Sequence, residues 1–231
     1  MKTKFLRPHF PGILFLWTIA LTVHAQSTVV WQAPHTISGS ADVATNGTTF
    51  GTWAPYSTAA QNGLTVNGVT FLANSGLALL DFNNLDGGGT VFVSPNTANA
   101  NYNTLLQSAA WGNTGPGTIT WGGMTIGKAY EIQFWVNDGR STAPGRTESV
   151  SGGSGTSARL SFGYPGPGQY VIGTFVAAST SETITLDALT TPQTQINLLQ
   201  VRGVTLAPEP SSLAFFAAGI SAWLCFHRRV R

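Results

Sequence analysis

Residues 128–138 read Lys128-Ala129-Tyr130-Glu131-Ile132-Gln133-Phe134-Trp135-Val136-Asn137-Asp138. Successive side chains of a β-strand point to opposite faces, so Tyr130, Ile132, Phe134 and Val136 share one face and Glu131, Gln133, Trp135 and Asn137 the other. The first face is apolar throughout and belongs in a core. The second is polar around a single tryptophan, which predicts a strand with one dry and one wet side. That pattern is typical of antiparallel sheets, since parallel sheets are covered on both faces and read as continuous apolar runs.

Outward from this strand, short β-type runs recur between Gly, Asn and Pro. They fall at 28–32, 64–66, 68–72, 90–93, 118–121, 158–162, 170–176, 183–186 and 195–206. Asn67-Gly68 between Val66 and Val69 is the signal of a type I′ hairpin, whose two central residues both need positive φ. Residues 102–110, preceded by asparagines that can cap, predict the one short helix. Charged residues make up only 9% of the chain while glycine occurs 27 times, a strand-and-turn composition. With no βαβ rhythm and no internal repeat, residues 26–206 are expected to form one all-β domain, an antiparallel β-sandwich of jelly-roll-like form. Residues 141–157, rich in Gly, Ser and Thr and grouped with Arg140, Arg146 and Arg159, read as the longest loop of the body, mobile and without a strand.

The two ends of the chain read as address rather than fold. Lys2, Lys4 and Arg7 precede an apolar run over 10–23 and the small-residue site Val23-His24-Ala25, the pattern of a signal peptide over 1–25 handled by the Sec translocon and signal peptidase. At the other end Pro208-Glu209-Pro210 breaks whatever precedes it, because proline fixes φ and donates no backbone hydrogen bond. An uncharged apolar segment follows, closed by Arg228, Arg229 and Arg231. A helix over 211–229 spans roughly 28 Å, enough for a bilayer core if the arginines snorkel to the head groups. A basic stop of this kind places its charged end in the cytoplasm. The order tripeptide, apolar helix, basic tail over 207–231 resembles the PEP-CTERM sorting signal of exopolysaccharide-producing Gram-negative bacteria. The resemblance implies an exosortase as partner, a transient inner-membrane anchor, and a final place at the cell surface or in the extracellular matrix.

Setting both ends aside changes the charge balance. Between residues 26 and 207 only Lys128, Arg140, Arg146, Arg159 and Arg202 are basic, against eight acids, a net charge of −3. The pI near 8.9 therefore belongs to the targeting segments, and no basic patch remains for nucleic acid. The lone cysteine, Cys225, lies in the apolar tail, so the body has neither disulfide nor thiol nucleophile.

Chemistry in the body is sparse. His35 is its sole histidine, and no Gly-x-Ser-x-Gly elbow accompanies it, which argues against a serine triad and a zinc site. Glu131 and Asp138 are the carboxylates available for glycoside hydrolysis, though they differ in strand parity. Asp81, Asn83, Asn84 and Asp86 in a Gly-rich loop supply the oxygen ligands that structural calcium takes, and Asx turns explain the same residues without metal. Trp53, Tyr56, Trp111, Trp121, Trp135 and Tyr164 lie in or beside loop-type segments, and sugars stack their C–H faces on such rings. Trp135 with Glu131, Gln133 and Asn137 forms the most compact such surface, a candidate carbohydrate-binding face. Arg140, Arg146 and Arg159 read either as ordinary solvated loop charge or as partners of a carboxylated sugar. The stretch 127–138 with Gly168-Gln169-Tyr170-Val171-Ile172-Gly173-Thr174-Phe175 loosely resembles the paired strands of galactose-binding-like and carbohydrate-binding jelly rolls. The expectation is a non-enzymatic exported protein, in contact with exopolysaccharide. A glycan-active hydrolase or lyase and a purely structural matrix protein are the alternatives.

Overall fold

The computed structural model describes residues 27–55, 63–72, 78–80, 82, 84–86, 92–112, 115–190 and 193–205. The expected signal peptide, the segment 207–231 with its helix over 211–229, and Tyr56, Asp81 and Asn83 lie outside the described residues. Among the described residues no helix is long and apolar enough to cross a membrane.

The first half of the chain forms β1 (Val30–Trp31), β2 (His35–Thr36), β3 (Thr48–Trp53), β4 (Leu64–Val66), β5 (Val69–Phe71), β6 (Ala78–Leu80), β7 (Asn84–Asp86), helix α1 (Ala100–Leu106) and β8 (Ala109–Trp111). The second half forms β9 (Gly117–Gly122), β10 (Ala129–Val136), β11 (Thr147–Gly152), β12 (Gly155–Thr156), β13 (Leu160–Ser161), β14 (Gln169–Val176), β15 (Ser181–Ala188), β16 (Gln195–Ile196) and β17 (Leu198–Val204). One sheet runs β1-β14-β10-β17-β3 with β2 added to β14, and the other runs β12-β11-β15-β9-β6 with β13 added to β11. The strand pairings within both are antiparallel. From β9 onward the long strands alternate between the sheets, so each crossing stitches the two layers together. The described residues form an all-β sandwich with one short α-helix.

The opening stretch occupies the middle of the first sheet. β10 pairs with β14 from Ala129↔Val176 to Val136↔Gln169 and with β17 from Ala129↔Val204 to Trp135↔Leu198. Its apolar face enters the core between the sheets, where Tyr130, Ile132, Phe134 and Val136 meet Ile119, Val150, Ile184 and Leu186. Each such side chain contributes about 1.5–3 kcal/mol on leaving water.

The wet side is where the expectation fails. A third layer covers it: Trp135 and Leu198 pack with Val66, Val69 and Phe71 of the β4–β5 hairpin and with Tyr102, Leu105 and Leu106 of α1. The hairpin turns as expected through Asn67 at φ 49° and Gly68 at φ 75°. Helix α1 begins two residues earlier than the expected 102–110 and stops at Leu106, because Ala109–Trp111 extends to pair with β7 and β16. Its N-cap is Asn99, whose side-chain oxygen accepts the Tyr102 amide hydrogen bond at 2.9 Å.

Residues 141–157 are not a structureless loop. They contain β11, which pairs with β15 from Glu148↔Ala188 to Gly152↔Ile184, and β12. The sequence Thr147-Glu148-Ser149-Val150-Ser151-Gly152 places only Val150 in the core cluster, so its strand state comes from its neighbours rather than from its own pattern. Strand β3, Thr-Thr-Phe-Gly-Thr-Trp, was likewise outside the expected set. Residues 92 and 93, expected in a strand, lie in an irregular segment, where Val93 has φ 53°. At Gly155 a side chain would overlap the Val29 carbonyl, because the first described residues run across the β11–β12 turn between the sheets.

Candidate functional site

The four residues expected to face sugar are all buried. Trp135, Gln133 and Asn137 are fully inaccessible and Glu131 is 7% exposed. Gln133 and Asn137 hydrogen-bond backbone outside the sheet ladders, and Glu131 holds the Asn46 side chain. Gln133 donates to the Asp42 carbonyl at 2.6 Å and accepts from the Ala44 amide at 3.0 Å and from Gln200 at 2.7 Å. Glu131 accepts from Asn46 at 2.9 Å, and Arg202, its cross-strand partner, donates to the carbonyls of Thr45 and Gly47. Asn137 donates to the carbonyls of Val93 and Leu106, the latter at the C-terminus of α1, where carbonyls lack helical partners. Trp135 packs edge-on against Phe71 at 5.7 Å. The polar alternation of β10 thus signals a covered, irregular layer instead of solvent, and no sugar reaches these side chains.

The other candidates disperse. Glu131 lies near the start of β10 and Asp138 beyond its other end, and the two hold different partners, Asn46 for Glu131 and Arg140 and Arg146 for Asp138. His35 is exposed and stacks on Tyr170 with ring centres 5.2 Å apart. Of the calcium candidates, Asn84 and Asp86 belong to β7, while Asp81 and Asn83 lie outside the described residues. No group of three or more metal-ligating side chains occurs among the described residues. Trp53 and Trp121 belong to the core between the sheets and Trp111 is half-buried, whereas Tyr164 is 47% exposed.

What the fold does bring together is Asp138, Arg140 and Arg146, at the end of the sandwich beyond β10. Asp138 is fully buried and bridges to Gly163, its amide donating to the Phe162 carbonyl at 2.8 Å. Arg140 grips it through Nε and Nη2, each at 2.7 Å, with the guanidinium 4.6 Å from the Phe92 ring centre. Arg146, 4% exposed, donates from Nη1 to the second Asp138 oxygen at 2.6 Å and to Gln195 at 2.8 Å, and from Nη2 to the Gln193 carbonyl at 3.1 Å. Behind it lies Glu148, fully buried, which accepts the Gln195 amide at 2.9 Å. Burial pushes the Glu148 carboxyl up to about 8, against the Gln195 hydrogen bond and the Arg146 charge, which both lower it. Glu148 is therefore mostly uncharged at neutral pH. Arg159, expected with the other two arginines, is exposed and stands outside this cluster.

Over the arginines opens a cleft of about 330 Å³ lined by Arg140, Thr142, Ala143, Pro144, Arg146 and Gln193. Tyr164 adjoins its wall: it bridges to Pro144, and its amide donates to the Ala143 carbonyl at 3.2 Å. The sequence singles out Asp138, Arg140, Arg146 and Tyr164 but not their meeting, and it gives no sign of Glu148, Gln193 and Gln195 beside them. The signal present was an acid two residues before one arginine and eight before another.

No protein family's model matches the chain, and no curated protein matches it in sequence. Solved structures similar to part of it include a β-glucuronidase from Bacteroides uniformis, 12% identical with a TM-score of 0.41. They also include β-glucuronidase 2 of that organism, covalently bound to cyclophellitol-6-carboxylate aziridine, at 14% identity and a TM-score of 0.40. Each match covers 60% of this chain and 16% of the other, a likeness too slight to bear on activity.

Proposed function

We propose that the chain is an exported, non-enzymatic cell-envelope or extracellular-matrix protein, a jelly-roll-like sandwich delivered by a cleavable signal peptide and sorted through Pro208-Glu209-Pro210 by an exosortase. The single observation that carries this reading is the C-terminal order of tripeptide, apolar segment and Arg228, Arg229 and Arg231, matched by the basic, apolar and small-residue order of residues 1–25. The body agrees with a role without catalysis. Glu131, Asp138, Glu148 and Glu182 are all buried, and each accepts an internal hydrogen bond.

The test is the mass of the mature protein. Produced as the full chain in a bacterium that carries an exosortase, the envelope or medium form begins at Gln26 and ends near the tripeptide. In the same strain without the enzyme it keeps Arg231 and stays with the inner membrane. An envelope form that retains Arg231 in the first strain defeats the sorting reading, and release of shorter glycans from matrix polysaccharide defeats the non-enzymatic one.

A further inference from the structure

We infer that the end of the sandwich carrying Val30, Ile126, Lys128 and Val176 is a lipid-contact surface, which rests on the head groups of the bilayer that holds the C-terminal tail. The inference rests on the sorting reading above for the presence of that bilayer, and it adds which face of the body meets it.

Both terminal segments leave the body at this end. Strand β17 runs out at Val204, which pairs with Ala129, itself paired with Val176. From Thr205, the last described residue, to Ser211, where the expected helix begins, the chain takes six residue steps and reaches at most roughly 22 Å. Ser27, the first described residue and two beyond the expected cut after Ala25, accepts the Ala178 amide hydrogen bond on its hydroxyl at 3.0 Å. A tail in lipid therefore keeps this end of the sandwich near the bilayer surface. The side chains gathered there suit that position. Phe175, Tyr130 and Val201 belong to the core, so by strand parity Val176, Ala129 and Val204 form an outward row across three strands. Val29 also enters the core, and Val30, paired with Thr174, faces outward at the sheet edge beside this row. Ile126 stands in the turn before β10, fastened there by the Gly127 amide, which donates to the Ala177 carbonyl at 2.8 Å. Val30, Ile126 and Val176 are 67%, 62% and 47% exposed. Lys128 is exposed next to them, whereas the acids on neighbouring strands at this end, Glu131 and Glu182, are buried and hold Asn46 and the Ser27 amide. Asp138 and Glu148 lie toward the other end of the sandwich. An apolar group rimmed by a cation matches a bilayer interface, where aliphatic side chains enter between head groups and a lysine stem lays its ammonium against phosphate.

The experiment reads how the body sits on a vesicle. The full chain with Cys225→Ser carries a single fluorophore, either at Thr125→Cys or at Ser141→Cys beyond the opposite end of β10, both exposed positions. It is reconstituted through its tail into vesicles of phosphatidylethanolamine with a minority of phosphatidylglycerol, some lipids bearing a nitroxide quencher on the head group. The label at 125 is quenched at least about twofold more than the label at 141. Ile126→Ser together with Val176→Ser removes at least about half of that difference, and Lys128→Glu lowers it further when phosphatidylglycerol is present than when it is absent. Should the serine pair disturb folding, the two labels in the unsubstituted body, compared with and without phosphatidylglycerol, carry the test. Equal quenching at 125 and 141, or a difference that the serine pair leaves unchanged, overturns the lipid-contact surface and leaves the anchoring tail intact. A chain that does not stay with the vesicles overturns the anchor itself, and the surface with it.

Discussion

Glu148 has one oxygen on the Gln195 amide and the other, Oε1, without a partner inside a fully buried site. Its carboxyl titrates near 8 when folded against an ordinary value of 4.5, so between those pH values the folded state holds the extra proton. Folding stability from this group therefore falls as pH rises through that window and is constant below it. Glu148→Gln keeps the shape and is neutral at every pH. We expect it to be more stable than the parent at pH 8 by on the order of a few kcal/mol, with little difference at pH 4.5. Urea midpoints at pH 4.5, 6.5 and 8 decide this, and parallel profiles for the two proteins reject it. Trp135 tells the complementary story. Because it is wholly inaccessible and fills the space between Phe71, Tyr170 and Leu198, Trp135→Ala should cost about 3–5 kcal/mol of stability. A midpoint shift within error in chemical denaturation would show that the third layer does not rest on this ring.

At the scale of elements, β10 is held from both faces, and the outer face depends on a helix of only seven residues. A helix this short is not stable alone and is kept by its caps and its packed side, Tyr102, Leu105 and Leu106. Asn99→Ala removes the side-chain acceptor for the Tyr102 amide and should cost about 1 kcal/mol. The loss should appear first as faster hydrogen exchange of α1 and the β4–β5 hairpin, before exchange at β10 changes. Uniform acceleration across β10, β14 and β17 would mean that the third layer and the sandwich open together. The range over which each element is encoded explains why β11 was invisible beforehand and the hairpin was not. Asn67-Gly68 encodes its turn locally through two positive φ angles. Thr147–Gly152 is a strand because β15 and β13 offer it partners on both sides.

For the whole molecule, local chemistry determined a good deal. The alternation of 129–136, the turn at Asn67-Gly68 and the low charge suffice for an antiparallel all-β sandwich, because the period of two and the turn angles are properties of neighbouring residues. The targeting reading of residues 1–25 and 207–231 also comes from sequence, resting on order and charge that need no fold. The third layer was not legible: nothing in Glu131, Gln133, Trp135 and Asn137 says whether water or distant parts of the chain, the segment 42–47, the β4–β5 hairpin and α1, will cover them. Nor was the arginine cleft, since Arg146 lies eight residues from Asp138 along the chain and Gln195 forty-nine from Arg146. Sequence alone thus determined which residues alternate, turn and carry charge, because those are short-range properties. Only the tertiary structure decided which polar groups were sealed inside and which opened onto a cleft, because burial and charge pairing depend on contacts between distant parts of the chain.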